Sequence, residues 1–175
     1  SSPFALPDTF NFDAYISVIN QYSFGTYAIN SVIISFGATA CSLLFFSMAA
    51  YVIAKYNFPC KSLIYVLLTL TLLVPGHTKT QPIFSLIMNL NLYDTKTGVW
   101  LVYLANGIAM SLFVLKATFM SIPQSLNEAA EIDGASFTRT FWQINLPLAK
   151  TGLSTAGILM FLGNWNEYYY AALLT

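Results

Sequence analysis

The sequence predicts an all-α fold, that of a polytopic helical membrane protein. Three observations lead to this prediction. Of the 175 residues, 57% are hydrophobic and only 8% are charged, whereas soluble domains carry about 25% charged residues. Several uncharged apolar runs approach the length of about 20 residues that a helix needs to cross a bilayer. The few charged residues gather between these runs, as loops between spanning helices require.

The first two predicted spans differ in clarity. Residues Tyr27 to Ala54 include no charged side chain, and a helix of that length exceeds the hydrocarbon core of roughly 30 Å. The second apolar stretch, Ser62 to Val74, is short and meets Pro75 and Gly76. Spanning helices tolerate such breaks where neighbours satisfy the backbone, so we expect a crossing with a break near Pro75 that continues into residues 81–93.

Two further spans follow the same reasoning. Val99 to Leu115 is uncharged, and another apolar run extends from Thr151 to Asn166 before it meets Glu167. Between them lies the long polar insertion of about residues 120–150, which holds three of the seven acidic residues. Four spans are therefore predicted, with one extended loop between the third and the fourth.

The cations predict the orientation of these spans. Five of the seven flank or occupy the first and third loops, and two lie in the second. Because cytoplasmic loops carry the excess of Lys and Arg, the first and third loops are expected in the cytoplasm, with the amino-terminal stretch and the second loop outside. The cations of the first and third loops are Lys55, Lys61, Lys116, Arg139 and Lys150.

Composition also excludes several classes of function. Seven cations balance seven acids, so nucleic-acid binding lacks the basic excess that neutralises phosphates. The spacing of Cys41 and Cys60 resembles neither a metal site nor a disulfide framework, and no metal site is predicted. Residues 1–11 show no signal peptide. An outside amino terminus without one suggests a fragment, from which an earlier helix is missing.

The polar insertion predicts two short helices joined by a turn. Pro123 suits the first turn of a helix, which good helix formers continue to Asp133 and Gly134 ends. Ser136 is a plausible cap of a second helix that stops before Pro147. The loop could dock on a partner protein, or it could be an ordinary loop that rests on the membrane surface, although acidic side chains suit such a surface poorly. Physics alone favours the two alternatives about equally.

A resemblance goes further than the physics. Glu128-Ala129-Ala130, Asp133-Gly134-Ala135 and then Ile144, Leu146 and Pro147 resemble the signature loop of binding-protein-dependent ABC permeases. Ser121-Ile122-Pro123, Val74-Pro75-Gly76 and Asn164-Trp165-Asn166-Glu167 are similar to the carbohydrate-uptake branch, to the smaller permease of maltose-type and glycerol-phosphate-type importers. The resemblance covers about residues 30–175. It implies a single transmembrane domain over residues 1–175, with four of six helices present and the first and last absent.

The resemblance implies a function without a catalytic site of its own. The chain would form the pathway for a carbohydrate-type solute in a bacterial-type plasma (inner) membrane, and the loop would seat as a coupling helix on a separate cytoplasmic ATPase. That partner would bind ATP and Mg, so this chain needs no cofactor. A second permease subunit, an extracytoplasmic solute-binding protein and membrane lipid complete the implied partners. The implied coupling residues are Glu128, Ala129, Ala130, Asp133, Gly134, Ala135, Ile144, Leu146 and Pro147.

Glu128 would then make the polar contact, and Ala129 with Ala130 the face for close packing. Possible pathway or helix-break residues are Pro75, Gly76, Asn164, Asn166 and Glu167. Glu167 lies 17 residues beyond Lys150, or roughly 25 Å along a helix, which favours a position near the outer membrane face and a structural role.

Two rival functions are less favoured by the residues. An intramembrane enzyme needs paired carboxylates, a nucleophile with its base, or metal ligands within the spans, and only the isolated Glu167 comes near. An ion-coupled secondary transporter is the alternative, since broken helices are typical of that class, yet Pro75-Gly76 alone supports it. No G-x-x-x-x-G-K-[ST] phosphate loop occurs, so energy for active transport must come from a separate protein.

Overall fold

The structure is a computed structural model that describes residues 12–21 and 23–175. Every regular element in these ranges is helical, which confirms the all-α prediction. The predictions that concern residues 1–11 lie outside the described residues. The helices are α1 (Asp13–Gln21), α2 (Phe24–Lys55), α3 (Lys61–Leu70), α4 (Thr80–Asn89), α5 (Lys96–Asn106), α6 (Ile108–Ser121), α7 (Ser125–Ile132), α8 (Phe137–Thr140), α9 (Leu146–Leu148), α10 (Lys150–Trp165) and α11 (Tyr169–Leu174).

The chain divides into two compact units, Ser1–Ile33 and Ile34–Thr175. In the described part of the first unit, α1 presents exposed apolar side chains such as Ile16 and Ile19. The second unit contains most of α2 and all of the later helices. The polar insertion and both helix breaks belong to this second unit.

Helix α2 is the clearest membrane span. It has 32 residues and no charge before its last one, Lys55, so it extends over about 48 Å. Among the described residues it alone is long and apolar enough to cross a membrane as a single helix. The predicted span from Tyr27 to Ala54 is therefore confirmed.

The second predicted span is broken more widely than its sequence indicated. Helices α3 and α4 have 10 residues each, or about 15 Å, so neither crosses a bilayer alone. The helix already ends at Leu70, and a 3-10 turn covers Gly76–Lys79. The predicted break near Pro75 is therefore present, but it extends over residues 71–79.

The third and fourth predicted spans are present with bends. Helices α5 and α6 meet at 43° around Gly107, and α10 meets the helical segment before it at 75° near Ala149. If each bent pair counts as one span, the described residues contain up to three candidate spans. Glycine is a weak helix former, which explains why the first bend falls at Gly107.

Two apolar cores lie toward opposite ends of the second unit. One joins α2, α6 and the segment after α8, around Tyr51 and Phe119. The other joins α4, α5 and α11, around Val99 and Leu174. In the first, Lys55 Nζ donates to the Ile122 carbonyl, so the first and third loops meet at one end, as the cation pattern predicts.

Candidate functional site

The long polar insertion presents one helix with an exposed face. Helix α7 follows Pro123 and exposes Glu128, Ala129 and Glu131, and Ile132 at its end is 87% exposed. Ala130 is buried at 5% exposure. The prediction that Ala129 and Ala130 together form a small-residue surface is therefore wrong for Ala130, because neighbours at successive positions of a helix point about 100° apart.

The turn after α7 has the geometry that its glycine predicts. Gly134 has φ of +75°, a left-handed conformation that glycine adopts without steric cost. Its N–H donates to the Glu131 carbonyl at 3.0 Å, and the N–H of Ala135 donates to the Ala130 carbonyl at 2.9 Å. These two bonds form a Schellman motif that satisfies the last carbonyls of α7. Gly134 is thus the turn residue between α7, the first limb of the insertion, and the helical path of residues 137–148, which we call the second limb.

The second limb differs from its prediction in one respect. Ser136 caps α8 as expected, since its Oγ accepts the N–H of Arg139 at 3.4 Å. The helical path does not stop before Pro147 but passes through a π turn, Phe141–Asn145, into α9. The N–H of Leu146 donates to the Phe141 carbonyl five residues back. This wider turn carries the chain past Pro147, and the break falls at Ala149 instead.

A buried amide pair joins the two limbs, and sequence reasoning missed it. Asn127 of α7 and Asn145 of the π turn are both 0% exposed. Asn145 Nδ2 donates to Asn127 Oδ1 at 2.8 Å and to the Thr140 carbonyl at 3.2 Å. The local sequence carries no signal for this pair, because the two asparagines lie 18 positions apart.

Aromatic side chains attach the second limb to the bundle. Tyr51 lies at the centre, and its ring centroid is 5.1 Å from that of Phe141 and 5.6 Å from those of Phe119 and Phe137. Tyr56 contacts Phe137 at 5.3 Å. Edge and tilted contacts at such distances are favourable beyond the burial of area. We call these five rings, from α2, the residue after it, α6 and the second limb, the inner aromatic cluster.

The remaining predicted loop residues occupy supporting positions. Asp133 ends α7 and is exposed, whereas Ala135, Ile144 and Leu146 are half-buried and Pro147 is exposed. The predicted coupling residues therefore do not share one surface. Glu128 and Ala129 are exposed, while Leu146 packs against the core around Tyr51 and Phe119.

At the other end, two helix breaks are tied together. Tyr170 is 6% exposed, and its hydroxyl donates to the Gly76 carbonyl at 2.9 Å. His77 contacts the ring of Tyr169 edge-on at 5.0 Å. The break that follows Pro75 is thus joined to the segment after α10. Sequence reasoning did not foresee this pairing, since the two segments lie more than 90 residues apart.

Glu167 has a structural role in the break between α10 and α11. Its carboxylate accepts the N–H of Tyr170 at 2.8 Å and that of Ala171 at 3.3 Å, as a capping side chain does. Tyr103 donates its hydroxyl to the Glu167 carbonyl at 3.0 Å. Both carboxylate oxygens of Glu167 thus bind N–H groups at the start of α11.

The two neighbouring asparagines have separate partners. Asn164 Nδ2 donates to Thr39 Oγ1 of α2 at 3.2 Å, and Asn166 Nδ2 donates to the Leu162 carbonyl at 2.8 Å. Asn164 and Glu167 also border a pocket of about 250 Å³, together with Tyr103, Asn106 and residues of α10. The residues lining this pocket in the described part of the chain include no Lys or Arg.

The described residues hold no group of three His, Cys, Asp or Glu side chains that could bind a metal ion. A bent helical bundle with apolar spans, and with a loop that displays a short acidic helix at one end, has the architecture of a polytopic membrane protein. Comparison with known proteins identifies the family. The chain belongs to the binding-protein-dependent transport system inner membrane components, whose family model matches residues 44–175.

Similar proteins support this assignment. The chain is 38% identical over 168 residues to the diacetylchitobiose uptake system permease protein NgcG of Streptomyces coelicolor, covering 96% of this chain and 56% of that protein. It is 34% identical over 170 residues to the trehalose transport system permease protein SugB of Mycobacterium tuberculosis, covering 97% of this chain and 62% of that protein. The chain thus spans little more than half the length of these relatives.

A solved structure has the same fold. A chain of a bacterial ABC transporter involved in the import of the acidic polysaccharide alginate matches with a TM-score of 0.88 at 28% sequence identity. The match covers 99% of this chain and 61% of that chain. It confirms the predicted fold class, a polytopic helical membrane protein of the ABC permease type.

Proposed function

We propose that this chain is the greater part of the permease subunit of an ATP-driven importer, and that it lines the pathway of a carbohydrate-type solute. The observation that carries this proposal is the match to the family over residues 44–175. The exposure of α7 and the packing of the second limb against the bundle support it. A partner that binds α7 in a groove could move this helix and so shift the bundle between two conformations.

The proposed coupling surface is the outward face of α7. Glu128 would make a polar contact with a cytoplasmic ATPase, Ala129 would allow close approach, and the exposed Ile132 would enter an apolar part of the groove. Asp133, Gly134, Ala135, Ile144, Leu146 and Pro147 would hold this face in position. ATP and Mg would be bound by the ATPase.

The proposed pathway lies on the outer half of the bundle. Asn164 and Glu167 border the pocket of about 250 Å³, while Asn166, Pro75 and Gly76 belong to the adjoining helix breaks. A lining without cations favours a neutral hydroxylated solute over a phosphate or a uronate, because an anion would need a compensating charge inside the membrane. A second permease subunit would close the other side of the pathway, and an extracytoplasmic binding protein would deliver the solute.

Crosslinking to the ATPase tests the proposal. In a full-length permease with Cys41 and Cys60 replaced, Ala129→Cys should be captured by the ATPase, with a yield that changes on adding nucleotide. Ala130→Cys is the matched control, because this neighbour on the same helix is buried and should not be captured. Equal capture at both positions, or labelling of Ala129→Cys from outside the cell, would refute the proposed coupling surface.

A further inference from the structure

Helix α7 reaches the bundle through the chain at both of its ends and through one buried contact. At its start the chain passes through Pro123 and Ile122 into α6, and at its end it passes through the Gly134 turn into the second limb. The buried contact between Asn127 and Asn145 bridges 18 positions of sequence. A rigid displacement of α7 therefore acts on α6 through the chain, and on the second limb through both the turn and the amide contact.

The amide contact leads directly to α10. The Asn145 carbonyl accepts the N–H of Ala149 at 2.9 Å, and the Ala149 carbonyl accepts the N–H of Leu153 at 2.9 Å. Ala149 is 0% exposed and stands at the 75° bend that begins α10. One residue, Asn145, therefore holds α7 with its side chain and the start of α10 with its backbone.

The amide pair is better explained as a specific contact between two segments than as general core packing. Asn127 Nδ2 and Asn145 Oδ1 are buried and have no hydrogen-bond partner among the described residues. Buried polar atoms without partners are destabilising, and two apolar side chains would avoid this loss. A hydrogen bond between buried amides is directional, so it fixes one relative position of α7 and the second limb. This specificity is the best explanation for polar side chains at these two buried positions.

We propose that Asn127 and Asn145 are positioning residues that transmit the displacement of α7 into α10, in parallel with the covalent routes into α6 and through the Gly134 turn. The inference rests on the proposed function, in which an ATPase moves α7. Helix α10 carries Asn164 at the pathway and ends at the Glu167 break. The bridge thus connects the coupling surface with the pocket through one helix.

Spin-label distances in the assembled transporter test the inference. Cys60 is exposed in the loop before α3 and serves as the reference, with all other cysteines replaced. A second label is placed at Glu131→Cys on α7 or at Lys150→Cys at the start of α10, both of which are exposed. In the otherwise unchanged permease, nucleotide should alter both distances.

The Asn145→Ala variant should separate the two responses. The change at Glu131→Cys should persist, while the change at Lys150→Cys should fall to less than half, and solute transported per ATP hydrolysed should fall several-fold. Gln143→Ala is the matched control, because Gln143 lies exposed on the same π turn and contacts Arg139. If Asn145→Ala does not assemble, Asn127→Ala removes the acceptor and leaves the bond of Asn145 to the Thr140 carbonyl.

The outcomes distinguish the inference from the function on which it rests. Undiminished change at both labels in Asn145→Ala, or an equal loss at both, would overturn the bridge while the coupling surface stands. If the distance from Cys60 to Glu131→Cys does not change with nucleotide even in the otherwise unchanged permease, the proposed function is overturned, and the bridge with it. Asn127→Asp keeps the accepting oxygen and should retain more of the response than Asn145→Asp, which loses the donor.

Discussion

Replacing Gly152 with Ala should weaken the contact between α6 and α10. A Cβ atom on Gly152 would overlap the side chain of Thr118, approaching its Cγ2 at 2.6 Å and its Cβ at 2.7 Å. Thr118 cannot easily rotate away, because β-branched side chains are stiff and its Oγ1 donates to the Val114 carbonyl at 3.0 Å. The two helices must therefore move apart.

The magnitude follows from two opposing terms. Overpacking of this kind costs about 1–3 kcal/mol, and replacing a helical glycine by alanine returns about 1 kcal/mol. Gly163→Ala is the matched control in the same helix, since its new Cβ would meet no heavy atom within 4 Å. Both variants gain the same helix propensity, so this gain cancels in their difference. The free energy of unfolding of Gly152→Ala should therefore be about 1–3 kcal/mol lower than that of Gly163→Ala.

Unfolding of the purified permease in mixed micelles, titrated with a denaturing detergent, measures this difference. Thr118→Ala combined with Gly152→Ala should recover part of the loss, since two of the three closest atoms are removed. If Gly152→Ala proves as stable as Gly163→Ala, the close approach of α6 and α10 at this position is refuted.

Two further predictions concern the helix ends. Gly134→Ala should destabilise the loop by about 1–2 kcal/mol, since φ of +75° is unfavourable for alanine; Gly134→Asn should lose less, and proteolysis of the loop compares the two, with equal cleavage speaking against a left-handed turn. Glu167→Ala should lower the free energy of unfolding by about 0.5–2 kcal/mol through loss of the cap on α11, while Glu167→Gln, which keeps an accepting oxygen, should lose less in the same titration.

The features that the sequence predicted are local ones. The length of the uncharged run is enough to predict α2, because the bilayer thickness sets the number of apolar residues that a spanning helix needs. Gly134 and Ser136 were predictable in the same way, since a left-handed turn and a helix cap depend on a few adjacent residues. The break near Pro75 was foreseen as well, although its width, down to Leu70, was not.

The features that were missed depend on distant partners. Asn127 meets Asn145 across the loop, and Tyr170 meets Gly76 across the bundle; neither side chain differs in its local sequence from an ordinary polar or interfacial residue. The path through Pro147 was misjudged because the π turn before it accommodates the proline, and such turns have no reliable local signature. Ala130 was misplaced because adjacent small residues point to different sides of a helix.

The two ends of the bundle differ in a way that suits the proposed transport cycle. At the end that carries α7, the inner aromatic cluster fixes the second limb against α2 and α6, and the buried amide pair joins it to α7. Toward the other end, the chain is interrupted at residues 71–79 and again at 166–168, beside the apolar core around Val99 and Leu174, and the Tyr170 hydroxyl bonds to Gly76 in the first break. In the proposed cycle, the loop must be rigid where the ATPase acts on it, and the bundle must deform where the pathway opens. Irregular segments open at lower free energy than packed helices, so a displacement of α7 should be absorbed at these two breaks.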